Sequence, residues 1–217
     1  MKANHTLALA VSALLAFSFA AGDADAQRRA KRDEPTTAYP DATREDPKGT
    51  FSPRLAKPIE RLQKAYNAEG KEEDTIAYAE EIINNERAKD FDKAMAYLLA
   101  GSAAIGIGKD DLAADYLAKA VELNALSNDN HYGAMLTLSS VYLNSDRNDE
   151  AAALLKRAID ETKTQDPQFY ALLGAAYYNA SDVTAAIEPL KKAIELDTEG
   201  KDEQSRRLLQ ASYSESG

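Results

Sequence analysis

Four residues between positions 101 and 109 have the types found in phosphate-binding loops. Gly101, Gly106 and Gly108 precede Lys109 within nine positions. The spacing does not fit, because Ile107 follows Gly106 where a lysine is required, and no strand precedes the segment. We therefore predict no nucleotide binding here and interpret Gly101 and Gly108 as packing and turn residues.

The remaining residue types that could support catalysis or metal binding are few. The sequence has two histidines and no cysteine, and His131 stands alone in the body of the chain. A lone histidine without an HExxH spacing forms neither a zinc site nor a Ser–His pair, so we expect His131 in a first helical turn. Acidic pairs at 110–111 and 149–150 suit helix starts, where they complement the dipole. The sequence predicts no catalytic residue, no metal, no cofactor, and a protein that is not an enzyme.

The net charge of the chain indicates which classes of partner it can bind. The formal net charge is −10, which argues against nucleic acid because a phosphate backbone requires a cationic face. Basic residues do gather near the start, at Arg28, Arg29, Lys31 and Arg32. Two interpretations stay open for them: weak contact with anionic lipid or an acidic partner, or a solvated basic start.

The first 26 residues have the pattern of a cleavable signal peptide. Lys2 precedes an apolar stretch at 7–21, and Ala24 and Ala26 form a small-x-small cleavage site. An uncleaved anchor is the alternative, but a bilayer span needs about 20 residues. We expect a periplasmic protein that begins near Gln27. Four prolines interrupt residues 27–55, which we predict to be a flexible linker.

The rest of the chain repeats itself at about 35 residues. The segment from Tyr170 aligns with the segment from Met135, 35 residues upstream, and a further shift of 38 reaches Tyr97. Apolar residues recur three and four apart on both sides of a short polar break, which predicts two helices in each segment. The coinciding positions of the second helices are Ala113, Leu117 and Ala120; Ala151, Leu155 and Ala158; and Ala186, Leu190 and Ala193. This pattern predicts an all-α fold.

Four units are expected, at 56–89, 94–127, 132–165 and 167–200, followed by a half unit at 203–217. The first unit is degenerate, with Thr75 where the others have alanine. Asp149 and Asp182 are expected helix N-caps, and Pro167 suits a first helical turn. The half unit has two interpretations, a capping helix or part of a longer repeat array, and the ending at 212–217 favours the second.

The pattern resembles the tetratricopeptide repeat (TPR), most clearly through Leu173-Gly174, Tyr177 and Ala186 of the fourth unit. The resemblance implies a right-handed α-solenoid of antiparallel helix pairs, in which the first helices line a concave groove. The groove positions of the family fall on Met95, Leu98, Ser102, Ile105, Leu136, Ser140, Leu143, Asn144, Ala171, Ala175, Tyr178 and Asn179. Several of the apolar members have an alternative role as core between neighbouring units.

The expected function is a periplasmic scaffold that binds a peptide or protein partner in this groove. The segments 130–136 and 208–213 also resemble exported repeat proteins of proteobacteria, some of which are linked to TonB-dependent transport. The alternative is a structural or assembly factor of the cell envelope, acting in outer-membrane transport, polysaccharide export or outer-membrane protein assembly.

Overall fold

The computed structural model describes residues 37–216, and within that range the chain folds into helices joined by turns, without a strand. A short 3₁₀ helix, Pro53–Leu55, precedes the first α-helix. The α-helices are α1 (Ala56–Tyr66), α2 (Glu72–Ile83), α3 (Asp90–Gly106), α4 (Asp110–Glu122), α5 (Asn128–Asn144), α6 (Asn148–Thr162), α7 (Pro167–Asn179), α8 (Val183–Leu196) and α9 (Glu203–Ser216). The predicted signal peptide at 1–26 and residues 27–36 lie outside the described residues.

The helices stack in chain order. Each helix from α2 to α8 packs against the helices directly before and after it. First helices of neighbouring units also touch, as α1 does with α3, α5 with α7, and α7 with α9. Contacts limited to adjacent units define a solenoid of antiparallel helix pairs. The predicted fold, four pairs followed by a C-terminal helix, is confirmed for the described residues.

The repeated positions of the second helices form the core of the stack. Every one of them is at most 1% exposed, which places the same face of α4, α6 and α8 against the preceding first helix. Alanine at the outer two positions lets the helices approach closely, and leucine at the middle position fills the space between them. Burying each of these leucines contributes roughly 1.5–3 kcal/mol relative to leaving it exposed.

Glycine on the first helix permits that close approach. A Cβ atom placed on Gly101 would lie 2.7 Å from Leu117 Cγ, and one on Gly174 would lie 2.5 Å from Leu190 Cγ. Both distances are shorter than carbon atoms can tolerate. The predicted packing role of Gly101 is confirmed, and Gly108 adopts a left-handed φ of +68° in the turn before α4.

Helix boundaries differ from the predicted units at three places. α3 and α5 begin one turn early, at Asp90 and Asn128, so the units predicted to start at 94 and 132 start inside helices. Asp149 was predicted to be the N-cap of α6, but the N-cap is Arg147 and Asp149 lies in the first turn of the helix. The other expectations are met: Asp182 accepts a hydrogen bond from the Ala185 N–H, and Pro167 opens α7.

Residues 37–52, which we call the strap, do not form the flexible linker predicted for 27–55. The strap runs along the first turns of α7, α5 and α3 in that order and joins α1 through the 3₁₀ helix. Tyr39 packs edge-on against Phe169 and Tyr132. At the other end, Asp92 accepts hydrogen bonds from the N–H and hydroxyl of Ser52. Aromatic and ionic side chains thus order a segment whose proline content alone indicated a free chain.

The close helix approach gives a paired test. We expect Gly174→Ala to lower the free energy of unfolding by about 1–3 kcal/mol, because the new methyl group must displace Leu190. Gly133 in α5 is the matched control, since within residues 37–216 its Cβ would meet no atom closer than 4 Å outside its own stretch of helix backbone. Gly133→Ala should be neutral or stabilising by up to about 1 kcal/mol through helix propensity. Urea unfolding of the two variants measures both changes, and equal effects would contradict the packing.

Candidate functional site

A stripe of side chains repeats on three successive first helices. Its members stand at spacings of four and three residues, which places them on one helix face. On α3 the stripe is Leu98, Ser102 and Ile105; on α5 it is Leu136, Ser140 and Leu143; on α7 it is Ala171, Ala175 and Tyr178. We call this surface the groove stripe. All nine members are half-buried.

The apolar members of the groove stripe also belong to the packing between units. Leu136 and Leu143 contact the cluster of buried residues around Leu155 and Phe169, and Ile105 contacts the one around Leu117. Leu98 touches these two clusters and a third around Met95. These leucines and Ile105 therefore have the packing role that the sequence left open as an alternative, and each keeps part of its surface exposed.

Met95 is a correction to the predicted groove. Its side chain is 1% exposed and lies in a cluster with Ala94, Ala120 and Leu126. The side-chain amide of Asn130 approaches its sulfur at 3.9 Å from the next unit. Position 95 is thus covered by α4, by the segment that follows α4 and by Asn130, and it has almost no free surface for a partner.

Polar groups border the groove stripe at the C-terminal ends of the helices. Asn144 and Asn179, the last residues of α5 and α7, are exposed, and their amides can both donate and accept hydrogen bonds. Ser140 donates its hydroxyl hydrogen bond to the Leu136 carbonyl, 3.2 Å away. The predicted residues other than Met95 thus form an apolar centre with amide and hydroxyl groups beside it.

The helix α9 continues this surface, which the sequence did not predict. The Tyr178 hydroxyl donates to a Glu215 carboxylate oxygen at 2.8 Å. This hydrogen bond raises the pKa of Tyr178. Glu215 belonged to the half unit, to which no groove position had been assigned. The sequence contains a signal for this position. Aligning the half unit with the fourth unit at a shift of 36 residues places Glu215 on Asn179, next to the position of Tyr178.

A second surface feature lies on α9, beside the end of α8. Tyr213 is 53% exposed, the one large hydrophobic side chain so exposed between residues 37 and 216. It lines a shallow cavity of ≈ 440 Å³ together with Ile194, Arg206, Leu209, Gln210 and Ser214. Gln210 stands where the fourth unit has Gly174, so this face of α9 does not offer the close helix approach found at Leu190.

His131 is the one histidine among residues 37–216, and its surroundings shift its pKa strongly. It lies in the first turn of α5 as predicted, its side chain is fully buried, and neither ring nitrogen has a hydrogen-bond partner among residues 37–216. Its ring stands edge-on to Tyr132 with centroids 5.3 Å apart. Burial, together with the positive charges of Arg44 and Arg157, lowers the pKa of His131 to about 4. The ring is therefore neutral near pH 7.

Other features of the described residues bear on binding chemistry. Among residues 37–216 no group of three or more histidine, aspartate or glutamate side chains is arranged to hold a metal ion. Over the same range no helix combines the length and apolar character needed to cross a bilayer.

The stacked helix pairs and their repeated small residues define an α-solenoid repeat protein. The tetratricopeptide repeat model matches residues 94–125 and 167–199, which contain most of α3 and the whole of α4, α7 and α8. These two segments are the units in which Gly101 and Gly174 permit the close approach. The chain thus has the TPR-type fold, and such solenoids are protein–protein interaction scaffolds. No curated protein matches it in sequence.

Solved structures agree on the fold. MamA 41-end from Desulfovibrio magneticus RS-1 superposes with a TM-score of 0.62 at 20% identity, covering 77% of this chain and 88% of that one. A second MamA structure gives 0.52 at 24% identity, covering 69% and 80%. The Arabidopsis OM64 TPR domain gives 0.50 at 13% identity, covering 58% and 98%. At these identities the likeness concerns the fold alone.

The buried histidine predicts a specific pH dependence of stability. In the unfolded chain His131 should titrate near pH 6.5, whereas its folded pKa is about 4. The folded state therefore binds fewer protons in this window, so stability is complete above pH 6.5 and is lost as pH falls towards 4. The expected loss from this group between pH 7.5 and 4.5 is roughly 2–3 kcal/mol.

His131→Leu and His131→Gln should remove that part of the pH dependence. Leucine leaves no unpaired polar atom, and glutamine keeps polarity without titrating. Free energies of unfolding from urea titrations at pH 7.5, 5.5 and 4.5 provide the measurement. Profiles of both variants that run parallel to the wild type would show that His131 is not the group responsible.

Proposed function

We propose that this protein is a non-enzymatic periplasmic scaffold that binds an extended or helical peptide segment of a partner protein on the groove stripe. The observation that carries the proposal is the repetition of one stripe on α3, α5 and α7 at the same helical spacing. Apolar side chains at its centre can anchor a peptide, while the amides of Asn144 and Asn179 can bind its backbone.

The half-buried state of the stripe supports binding of a peptide. Leu98, Leu136 and Leu143 are held by the core clusters, so they lose little conformational entropy when a partner covers their remaining surface. The scaffold role agrees with the TPR-type fold, and the net charge of −10 favours a protein partner over nucleic acid.

The periplasmic location rests on the sequence of the first 26 residues, with its charged start, apolar stretch and Ala24-Asp25-Ala26 site. The basic residues at 28–32 would then follow the cleavage site, where weak contact with anionic lipid is part of the proposal. A place in TonB-dependent transport, or an assembly role elsewhere in the envelope, is the finer alternative that partner identification would decide.

Charge insertion at the groove border tests the binding surface. We expect Asn144→Arg/Asn179→Arg to reduce recovery of specific partners from periplasmic and membrane extract at least about tenfold, since two guanidinium groups would block the groove. Both residues are exposed helix ends, so the variant should retain its helical circular dichroism. Quantitative mass spectrometry of captured proteins gives the measurement.

The matched control places the same charges on second helices. Ala153 in α6 and Thr184 in α8 are exposed, and Ala153→Arg/Thr184→Arg should capture partners as the wild type does. Partners retained by the groove variant but lost from this control would place binding on the opposite face. Partners retained by both would exclude the groove stripe.

Export can be tested separately from binding. When the full sequence is expressed in a Gram-negative host, we expect the protein in the periplasmic fraction with Gln27 as its first residue. Ala26→Arg should block cleavage, because signal peptidase requires a small residue before the cut. N-terminal mass spectrometry reads both results. Full-length protein found in the cytoplasmic fraction would reject the signal peptide without affecting the binding proposal.

A further inference from the structure

The strap contacts three consecutive units, whereas each unit of a solenoid contacts only its direct neighbours. Repeat proteins are held by nearest-neighbour interfaces, so the curvature of the stack depends on each interface separately. Tyr39 lies against Phe169 of the fourth unit and Tyr132 of the third. Farther along, Ser52 is bound to Asp92 of the second unit. One continuous segment therefore spans both interfaces between these units.

Arg44 is the main polar anchor of the strap. Its guanidinium donates to Asn124 Oδ1 at 2.6 Å, Asn128 Oδ1 at 2.6 Å, and the carbonyl oxygens of Asn124 and Leu126 at 2.8 and 2.9 Å. Asn124 and Leu126 follow α4, and Asn128 is the first residue of α5. The planar guanidinium thus connects the end of the second unit to the start of the third, a geometry that an ammonium group cannot reproduce.

Neighbouring strap residues complete the ends of two helices. The Asn128 N–H donates to Asp46 Oδ1 at 2.6 Å, whereas Ser127, the N-cap of α5, makes no side-chain cap of its own. The backbone N–H of Thr43 donates to the Glu161 carbonyl at 2.8 Å, near the end of α6. Groups that water or local residues usually satisfy at helix ends are here satisfied by the strap.

Tyr39 acts as a wedge between α5 and α7. Its ring centroid lies 5.2 Å from that of Tyr132 and 6.2 Å from that of Phe169, both in edge-on arrangements favourable to aromatic pairs. Burial raises the pKa of Tyr39 to about 12. Tyr39 thus lies at the interface between the third and fourth units, and Arg44 lies at the interface between the second and third units.

We propose that the strap is an internal brace that fixes the angles between the second, third and fourth units, with Arg44 and Tyr39 as its positioning residues. The brace holds the first turns of α3, α5 and α7, and so sets the distance between the successive rows of the groove stripe. The proposal concerns the geometry of the free protein and does not depend on the proposed function.

The test measures the distance between the second and fourth units directly. The sequence contains no cysteine, so Asp111→Cys and Thr184→Cys, both exposed, accept spin labels without background. We expect Arg44→Ala/Tyr39→Ala to make the 111–184 distance distribution roughly twofold wider, since interface angles then fluctuate independently. Arg44→Lys should widen this distribution as well, because several N–H groups of the planar guanidinium, and not its charge alone, join the two units.

Two controls separate bracing from general loosening. A Thr184→Cys/Gln204→Cys pair reports on the α8–α9 interface, which lies beyond the strap contacts, and its distribution should not change. Lys48→Ala, an exposed strap position, should leave the 111–184 distribution unchanged. If the double strap variant does not fold, Arg44→Ala alone is measured. An unchanged 111–184 distribution, or equal widening of both label pairs, would overturn the proposal.

Discussion

The close approach of the two helices within a unit is the constraint on which the rest of the structure depends. Leu117 and Leu190 fill the space left by the missing side chains of Gly101 and Gly174. Each pair presents apolar surface on two sides and cannot bury both by itself, so stacking follows from the same packing. Once the pairs are stacked, the first helices of neighbouring units lie beside one another, and the groove stripe follows from the same packing.

The repeated part of the fold could be predicted because its residue pattern recurs several times in the sequence. The positions of Ala151, Leu155 and Ala158 recur in the neighbouring units, and a coincidence of residue size at a fixed spacing identifies the buried face. The strap could not be predicted in this way, since its contacts occur once. Tyr39 and Arg44 stand among prolines and charges, and only the positions of Phe169, Asn124 and Asn128 in space show what they bind.

The candidate site was predictable to the extent that it follows the repeat. The spacing from Leu136 to Leu143 placed both on one face of α5, as the structure shows. Met95 was wrongly assigned to the groove, because the residues that bury it, Ala120, Leu126 and Asn130, come from the following helix, the segment after it and the next unit. Glu215 was missed because it belongs to a half unit, although it approaches Tyr178 directly. Local spacing thus defines a helix face, whereas contacts with other helices and units decide which part of that face is accessible.

The two ends of the first helices are held in different ways, and this bears on how a partner would be accommodated. The strap fastens the first turns of α5 and α7, whereas their last residues, Asn144 and Asn179, are exposed. Small changes in interhelical angle would therefore pivot about the strap edge and move the exposed ends most. Because Leu98 contacts three core clusters, such movement would be resisted at the centre of the stack. A partner seated at the open ends would gain surface with little repacking, which favours adaptable recognition at the amides and fixed spacing at the apolar anchors.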